Sequence, residues 1–142
     1  MKRFRFDLRQ VLELREYAER EAEIELGKAV GALNLIERHI ASVAEARRHA
    51  AAERFATGNG FAAIQSYDRY ILRLDQTRDK LLMNAAQAEL VVAEKRDIYL
   101  EASRERKILD KIKERRLGEY RKLAQAEENK ELDDIAGRMR RN

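Results

Sequence analysis

Thr57-Gly58-Asn59-Gly60 decides the fold, because it is the segment that interrupts the helical pattern of the chain. Two glycines around an asparagine favour positive φ angles and a reversal of chain direction. The 142 residues contain no proline, which costs about 3 kcal/mol inside a helix. Together with many Ala, Glu, Leu, Arg and Lys residues, this absence indicates long uninterrupted helices on both sides of the turn.

Apolar residues recur at helical spacing before and after the turn. Steps that alternate between three and four residues are typical of a coiled-coil seam. The first seam consists of Leu26, Ala29, Leu33, Ile36, Ile40 and Val43. The second consists of Ile71, Leu74, Leu81, Ala85, Ala88, Val92, Tyr99, Ala102 and Leu109. Charged residues interrupt both registers, namely Arg15, Glu19, Arg78, Lys95 and Arg106.

This pattern predicts an all-α fold, a long antiparallel two-helix coiled-coil hairpin with unequal arms. We expect a single coiled-coil domain over residues 1–142, with a first arm over about 4–56, a turn at 57–60 and a second arm over about 61–140. Folded back at the turn, the first arm pairs with the second as far as about residue 113, so that roughly the last 28 residues overhang.

The charge pattern argues against a nucleic-acid-binding protein. The chain carries 30 Lys and Arg against 26 Asp and Glu, and the signs are interspersed. Its densest basic stretch, residues 104–122, is compatible with phosphate, with an acidic protein surface or with a solvated helix. Because no aromatic residues are interleaved there to stack on bases, we expect no nucleic-acid partner. A basic nucleic-acid-binding coiled coil stays the alternative of a different class.

Catalytic and metal sites lack candidate residues. The chain has no cysteine, and its two histidines, His39 and His49, do not share a helix face. Acid pairs such as Glu127-Glu128 and Asp133-Asp134 need a cleft that shifts their pKa, and a two-helix hairpin supplies none. We therefore expect no enzyme activity, no metal and no cofactor. No apolar run is long enough to span a bilayer, and the start does not read as a secretory signal.

Two apolar clusters are candidate docking surfaces. At the start of the chain, Phe4, Phe6, Leu8, Val11 and Leu12 are interleaved with Lys2, Arg3, Arg5 and Arg9. Phenylalanines at a terminus need a packing partner, which is either the second arm or another protein. After the turn, Tyr70 and Leu74 begin a stripe that Thr77 and Leu81 continue. This stripe fits a partner site or ordinary packing near the turn.

The two ends of the sequence resemble the FliJ family of flagellar type III export components. The run Phe6-Asp7-Leu8-Arg9-Gln10-Val11-Leu12-Glu13-Leu14-Arg15-Glu16 matches every specified position of the family's opening F-x-L-x-x-V-L-x-L-R-E. Near the other end, Glu131-Leu132-Asp133-Asp134-Ile135-Ala136-Gly137-Arg138 is similar to the family's E-L-D-E-x-A-x-R, with Asp134 in place of Glu. The resemblance covers the whole chain.

The resemblance implies a non-enzymatic stalk or adaptor of the flagellar export apparatus, similar to the central stalk of rotary ATP synthases. It implies partners in the hexameric export ATPase FliI, the export gate FlhA and export chaperones, at the cytoplasmic face of the inner membrane. The protein would promote assembly or activity of the ATPase ring. An equivalent stalk of a virulence type III secretion system is the alternative within the same architecture.

The resemblance also implies two sets of site residues. The ATPase-binding set lies at the end that carries both termini and consists of Phe4, Phe6, Leu8, Val11, Leu12, Arg15, Leu132, Asp133, Ala136 and Arg138. The gate-binding set lies early in the second arm and consists of Tyr70, Leu74, Thr77 and Leu81.

Overall fold

Two long helices joined by one turn make up 89% of the chain in the computed structural model, which describes residues 2–142. Helix α1 spans Arg9–Glu53 and helix α2 spans Phe61–Arg141. The helices pack against each other, and no strand occurs in the described part of the chain. The predicted antiparallel two-helix hairpin is confirmed. Its arms are unequal, with 45 residues in α1 and 81 in α2.

The turn reverses the chain over residues 54–60, three residues earlier than the predicted start. Gly58 adopts a φ of +94°, in the left-handed region that favours glycine. The side-chain amide of Asn59 donates a hydrogen bond of 2.9 Å to the carbonyl of Glu53, one of the last carbonyls of α1 that have no partner within the helix. The Gly-Asn-Gly segment therefore both reverses the chain and caps the first helix.

The chain divides into two compact units. The first, which we call the hairpin unit, is Ala22–Tyr99 and contains the turn. The second, the terminal unit, combines the residues up to Glu21 with Leu100–Asn142.

The core of the hairpin unit is a thin seam of small and aliphatic side chains. Its most buried residues are 4–9% exposed and lie on the predicted seams or their extension: Ala22, Val43, Ala50, Leu81, Ala85 and Val92. Alanine allows the helices to approach closely but buries little apolar area. Two ion pairs cross between the helices beside this seam, from Arg47 to Asp75 at 2.6 Å and from Arg54 to Asp68 at 2.9 Å.

In the terminal unit the first residues have no helical structure, although the predicted first arm begins at about residue 4. Residues 2–6 lie outside α1, and the amide of Arg9 donates to the carbonyl of Phe6 at 3.1 Å where the chain turns into the helix. Phe6 and Leu12 are buried, at 8% and 4% exposed. This segment contacts α2 as far as Tyr120, seven residues beyond the predicted end of pairing.

Two charged residues that interrupt the seams meet each other in the terminal unit. The guanidinium of Arg106 donates hydrogen bonds to Glu19 on α1 and to Asp110 one turn along α2. These two carboxylates, Glu19 first, raise the pKa of Arg106 above its ordinary value. Nearby, Arg15 pairs with Glu105 at 2.5 Å. Of the charged residues that interrupt the two apolar registers, Glu19 and Arg106 therefore compensate each other across the helix pair.

Replacing Gly58 by alanine should lower the free energy of unfolding by about 1–2 kcal/mol, because alanine is strained at a φ of +94°. The matched control is Gly118→Ala. Gly118 lies inside α2, and a Cβ at either glycine meets no atom within 4 Å. The control should raise the free energy of unfolding by up to about 1 kcal/mol through helix propensity. Urea titration followed by circular dichroism measures both, and changes of the same sign would contradict the assigned turn geometry.

Candidate functional site

The N-terminal part of the predicted ATPase-binding set is packed onto α2. The ring of Phe4 lies 5.4 Å from that of Tyr120, and the Tyr120 hydroxyl donates a 2.7 Å hydrogen bond to the carbonyl of Lys2. The guanidinium of Arg116 lies 5.7 Å from the centre of the Phe6 ring and also pairs with Asp7. The packing partner of the terminal phenylalanines is thus the second arm, which was one of the two sequence-based alternatives.

Only some of these N-terminal residues are accessible to a partner. Phe6 and Leu12 belong to the core, Phe4 and Leu8 are half-buried, and Val11 is 39% exposed. Arg15 is exposed, although its guanidinium is engaged by Glu105. The accessible groups are mainly cationic. Arg3, Arg5, Arg9 and Lys113 line one surface depression with Phe4 and Phe6, and we call it the cationic groove.

The C-terminal part of the set lies on a different stretch of α2. All residues from 131 to 142 are exposed, including Leu132, Asp133, Ala136 and Arg138. Leu132 comes twelve residues after Tyr120, which corresponds to about 18 Å along the helix axis. The structure therefore presents the predicted set as two separate surfaces of the terminal unit.

Two residues that were not predicted complete the C-terminal surface. Ile135 is 49% exposed and Met139 is 74% exposed, and both share a helix face with Leu132. We call Leu132, Ile135 and Met139 the C-terminal stripe. Their spacing of three and four residues is the signal that could have identified them from the sequence.

The four residues of the predicted gate-binding set are in the hairpin unit and differ in accessibility. Tyr70 is 39% exposed and Leu74 is half-buried. The hydroxyl of Thr77, which is half-buried, donates a 2.9 Å hydrogen bond to the carbonyl of Arg73 within its own helix. Leu81 is only 9% exposed and belongs to the seam. A partner that approaches from solvent therefore reaches Tyr70 and the edge of Leu74.

The basic stretch 104–122 is partly neutralised within the terminal unit. Arg104, Arg106, Arg115 and Arg116 form ion pairs with carboxylates. Lys107, Lys111, Lys113, Arg121 and Lys122 form none among residues 2–142 and are exposed. These five cations are thus presented to solvent in the terminal unit, and Lys113 is part of the cationic groove.

The part of the chain that the structure describes contains neither a cluster of metal-ligating side chains nor a helix that could cross a membrane. No group of three or more His, Asp or Glu residues there is arranged to hold a metal ion. The nearest carboxylate to His49 is that of Glu53, at 3.8 Å. Neither described helix contains a stretch apolar enough to cross a bilayer.

One family model matches this chain, the one described as "Flagellar FliJ protein", and the match covers residues 4–142. The predicted resemblance is therefore confirmed over essentially the whole chain. No curated protein and no solved structure gives a significant match.

Phe6→Ala should lower the free energy of unfolding of the terminal unit by about 2–3 kcal/mol, because it removes the hydrophobic stabilisation of a buried ring. Val11→Ala, at a neighbouring exposed site, should cost less than about 1 kcal/mol. Amide hydrogen exchange at residues 105–120 of α2 measures the effect locally. Equal protection in the two variants would show that the terminal phenylalanine does not hold the N-terminal segment on α2.

The Arg47–Asp75 pair should make stability depend on acid pH. The hydrogen bond from Arg47, followed by the charges of Arg47 and Arg78, lowers the pKa of the Asp75 carboxyl below 3.8. A depressed native pKa means that the stabilisation is complete above 3.8 and is lost as the pH falls below that value. Wild type should therefore be more stable than Asp75→Asn at pH 7, and the difference should shrink at pH 2.5. Thermal unfolding at both pH values measures it, and a constant difference would contradict the pairing.

Proposed function

Because the chain belongs to the FliJ family of flagellar export proteins, we propose that it is a non-enzymatic stalk of the flagellar type III export apparatus. In this role it binds the hexameric ATPase FliI through the terminal unit, contacts the export gate FlhA through the hairpin unit, and promotes assembly or activity of the ATPase ring. It acts at the cytoplasmic face of the inner membrane. Binding of export chaperones is part of the proposal and is supported by family membership.

The observation that carries the ATPase contact is the exposed end of α2. After Tyr120 the helix continues to Arg141, and in this segment only Ala124 is as much as half-buried. The C-terminal stripe gives this segment an apolar face without an intramolecular cover. In proteins most helical stability comes from the packing of an amphipathic face, and this segment has no such packing within the described chain. An apolar groove on the ATPase would cover the stripe in the way that amphipathic helices dock into grooves.

The cationic groove supports a second contact with the same ring. It lies about 18 Å or more from the C-terminal stripe along α2, so the two surfaces would reach different parts of the ATPase. Exposed cations at the edge of an interface mainly increase the association rate and make it salt-dependent. We therefore assign most of the affinity for the ATPase to the C-terminal stripe, and the electrostatic steering of association to the cationic groove.

Replacing Leu132 and Ile135 together by serine should weaken binding to FliI at least tenfold and abolish stimulation of its ATPase turnover. The physical reason is the loss of apolar anchors that become buried on docking. The measurement uses FliI from the same organism, with ATP hydrolysis and co-purification as readouts. Leu90→Ser is the matched control, because Leu90 is 72% exposed on the same helix but lies in the hairpin unit.

Failure of the wild-type protein either to stimulate or to co-purify with FliI would contradict the proposed function. A deletion strain that swims normally would also count against the flagellar role and favour a virulence secretion system. Variants of Phe6 and Leu12 are unsuitable here, because both side chains are buried and their loss disturbs the fold.

A further inference from the structure

Two phenylalanines beside the turn of the hairpin unit are exposed. They belong neither to the core nor to the predicted sites. Phe55 is 70% exposed and Phe61 is 76% exposed, one on each side of Gly58. The chain has four phenylalanines, and the other two, Phe4 and Phe6, are packed in the terminal unit. Large rings left in water beside a turn are typical of a surface that another molecule covers.

The turn fixes the backbone beside both rings, and an arginine lies over the ring of Phe55. The side-chain amide of Asn59 bonds the end of α1, and α2 begins at once with a hydrogen bond of 3.1 Å from the Ile64 amide to the Gly60 carbonyl. The guanidinium of Arg54 lies 4.6 Å from the centre of the Phe55 ring and is itself fixed by Asp68. An anchor that is ordered before binding loses less entropy on docking.

The charges around the turn leave a positive border. Residues 55–66 contain no charged side chain. The first two carboxylates after the turn are engaged, Asp68 by Arg54 and Asp75 by Arg47, whereas Glu53 before the turn faces His49 at 3.8 Å. Arg69 and Arg73 make no ion pair within the described residues, and Arg73 lies 5.9 Å from the centre of the Tyr70 ring.

The exposed part of the gate-binding set is continuous with this surface. Tyr70 and Arg73 line one shallow groove together with Ala63, Ser66 and Tyr67. The first of these residues, Ala63, is two positions after Phe61. Leu81, at the other end of that set, is buried in the seam. The accessible aromatic surface therefore extends from Tyr70 toward the turn, away from Leu81.

We propose that the turn is a protein-docking site, with Phe55 and Phe61 as anchors in an apolar groove whose rim carries carboxylates that meet Arg69 and Arg73. We call these four residues the tip surface. The proposal rests on the proposed function, in which the export gate is the partner of the hairpin unit, and it centres that contact on the turn. Fixed aromatic anchors with arginines at the border are typical of protein interfaces. Two unpaired cations give little attraction to an anionic bilayer.

The test measures binding of the full-length chain to the soluble cytoplasmic domain of FlhA from the same organism by titration calorimetry. The double variant Phe55→Ser, Phe61→Ser should bind at least tenfold more weakly, and the control Leu90→Ser should bind like wild type. Arg69→Gln with Arg73→Gln should weaken binding at low salt and flatten its salt dependence. Because the replaced side chains are exposed, the variants should keep the wild-type circular dichroism and the same stimulation of FliI.

Unchanged binding by the phenylalanine variant, together with loss of binding in Tyr70→Ala, Leu74→Ala, would overturn the tip surface while leaving the gate contact intact. No binding of the wild-type chain to the gate domain would instead remove the proposed gate contact, and the ATPase assay would still test the rest of the function. A second assay measures whether the full-length chain co-sediments with phosphatidylglycerol–phosphatidylcholine vesicles. Capture that requires Phe55 and Phe61, with no binding to the gate domain, would overturn the proposal in favour of a lipid surface.

Discussion

Two helices that pack only against each other can each bury one stripe of side chains. This limit determines which of the other apolar side chains stay exposed. None of the described side chains is less than 2% exposed, and five of the eight most buried apolar positions are alanines or valines of the seam. Apolar side chains outside the seam have nowhere to pack within the described chain. Leu90, Phe61 and Met139 are each more than 70% exposed for this reason. The surfaces offered to partners are therefore a consequence of the architecture.

These surfaces differ in chemistry between the two units. The terminal unit combines the cationic groove with an apolar stripe on a helix that has no neighbour after Tyr120. The hairpin unit presents two exposed aromatic rings beside a turn, with Asp68 engaged by Arg54. A charged groove favours fast, salt-dependent encounter, whereas fixed rings favour a specific pocket. One thin fold can in this way present two surfaces of different character.

The sequence was sufficient to predict the turn, the two helices and most of the seam. Gly58 and the spacing of residues such as Val43, Leu81 and Val92 determine these features locally. The alignment of one helix against the other was not predictable, because periodicity within a helix assigns faces but no partner across the seam. The pairing of Glu19 with Arg106 and the stacking of Phe4 on Tyr120 depend on that alignment. The same limit applies to the gate-binding set. Spacing within the helix could not distinguish the accessible side chain of Tyr70 from the buried side chain of Leu81.

The ion pair between Glu19 and Arg106 also affects how the two helices of the terminal unit respond to an axial force. Alanine-rich seams are nearly uniform, so apolar contacts alone would tolerate slippage of one helix past the other. A slip of one heptad would carry the Arg106 guanidinium about 10 Å from Glu19 and leave that carboxylate without its partner, while Arg106 would keep Asp110 on its own helix. Polar groups at seam positions are known to select a single register in coiled coils. The Glu19–Arg106 pair thus favours one register of α1 against α2 in the terminal unit and opposes axial sliding there.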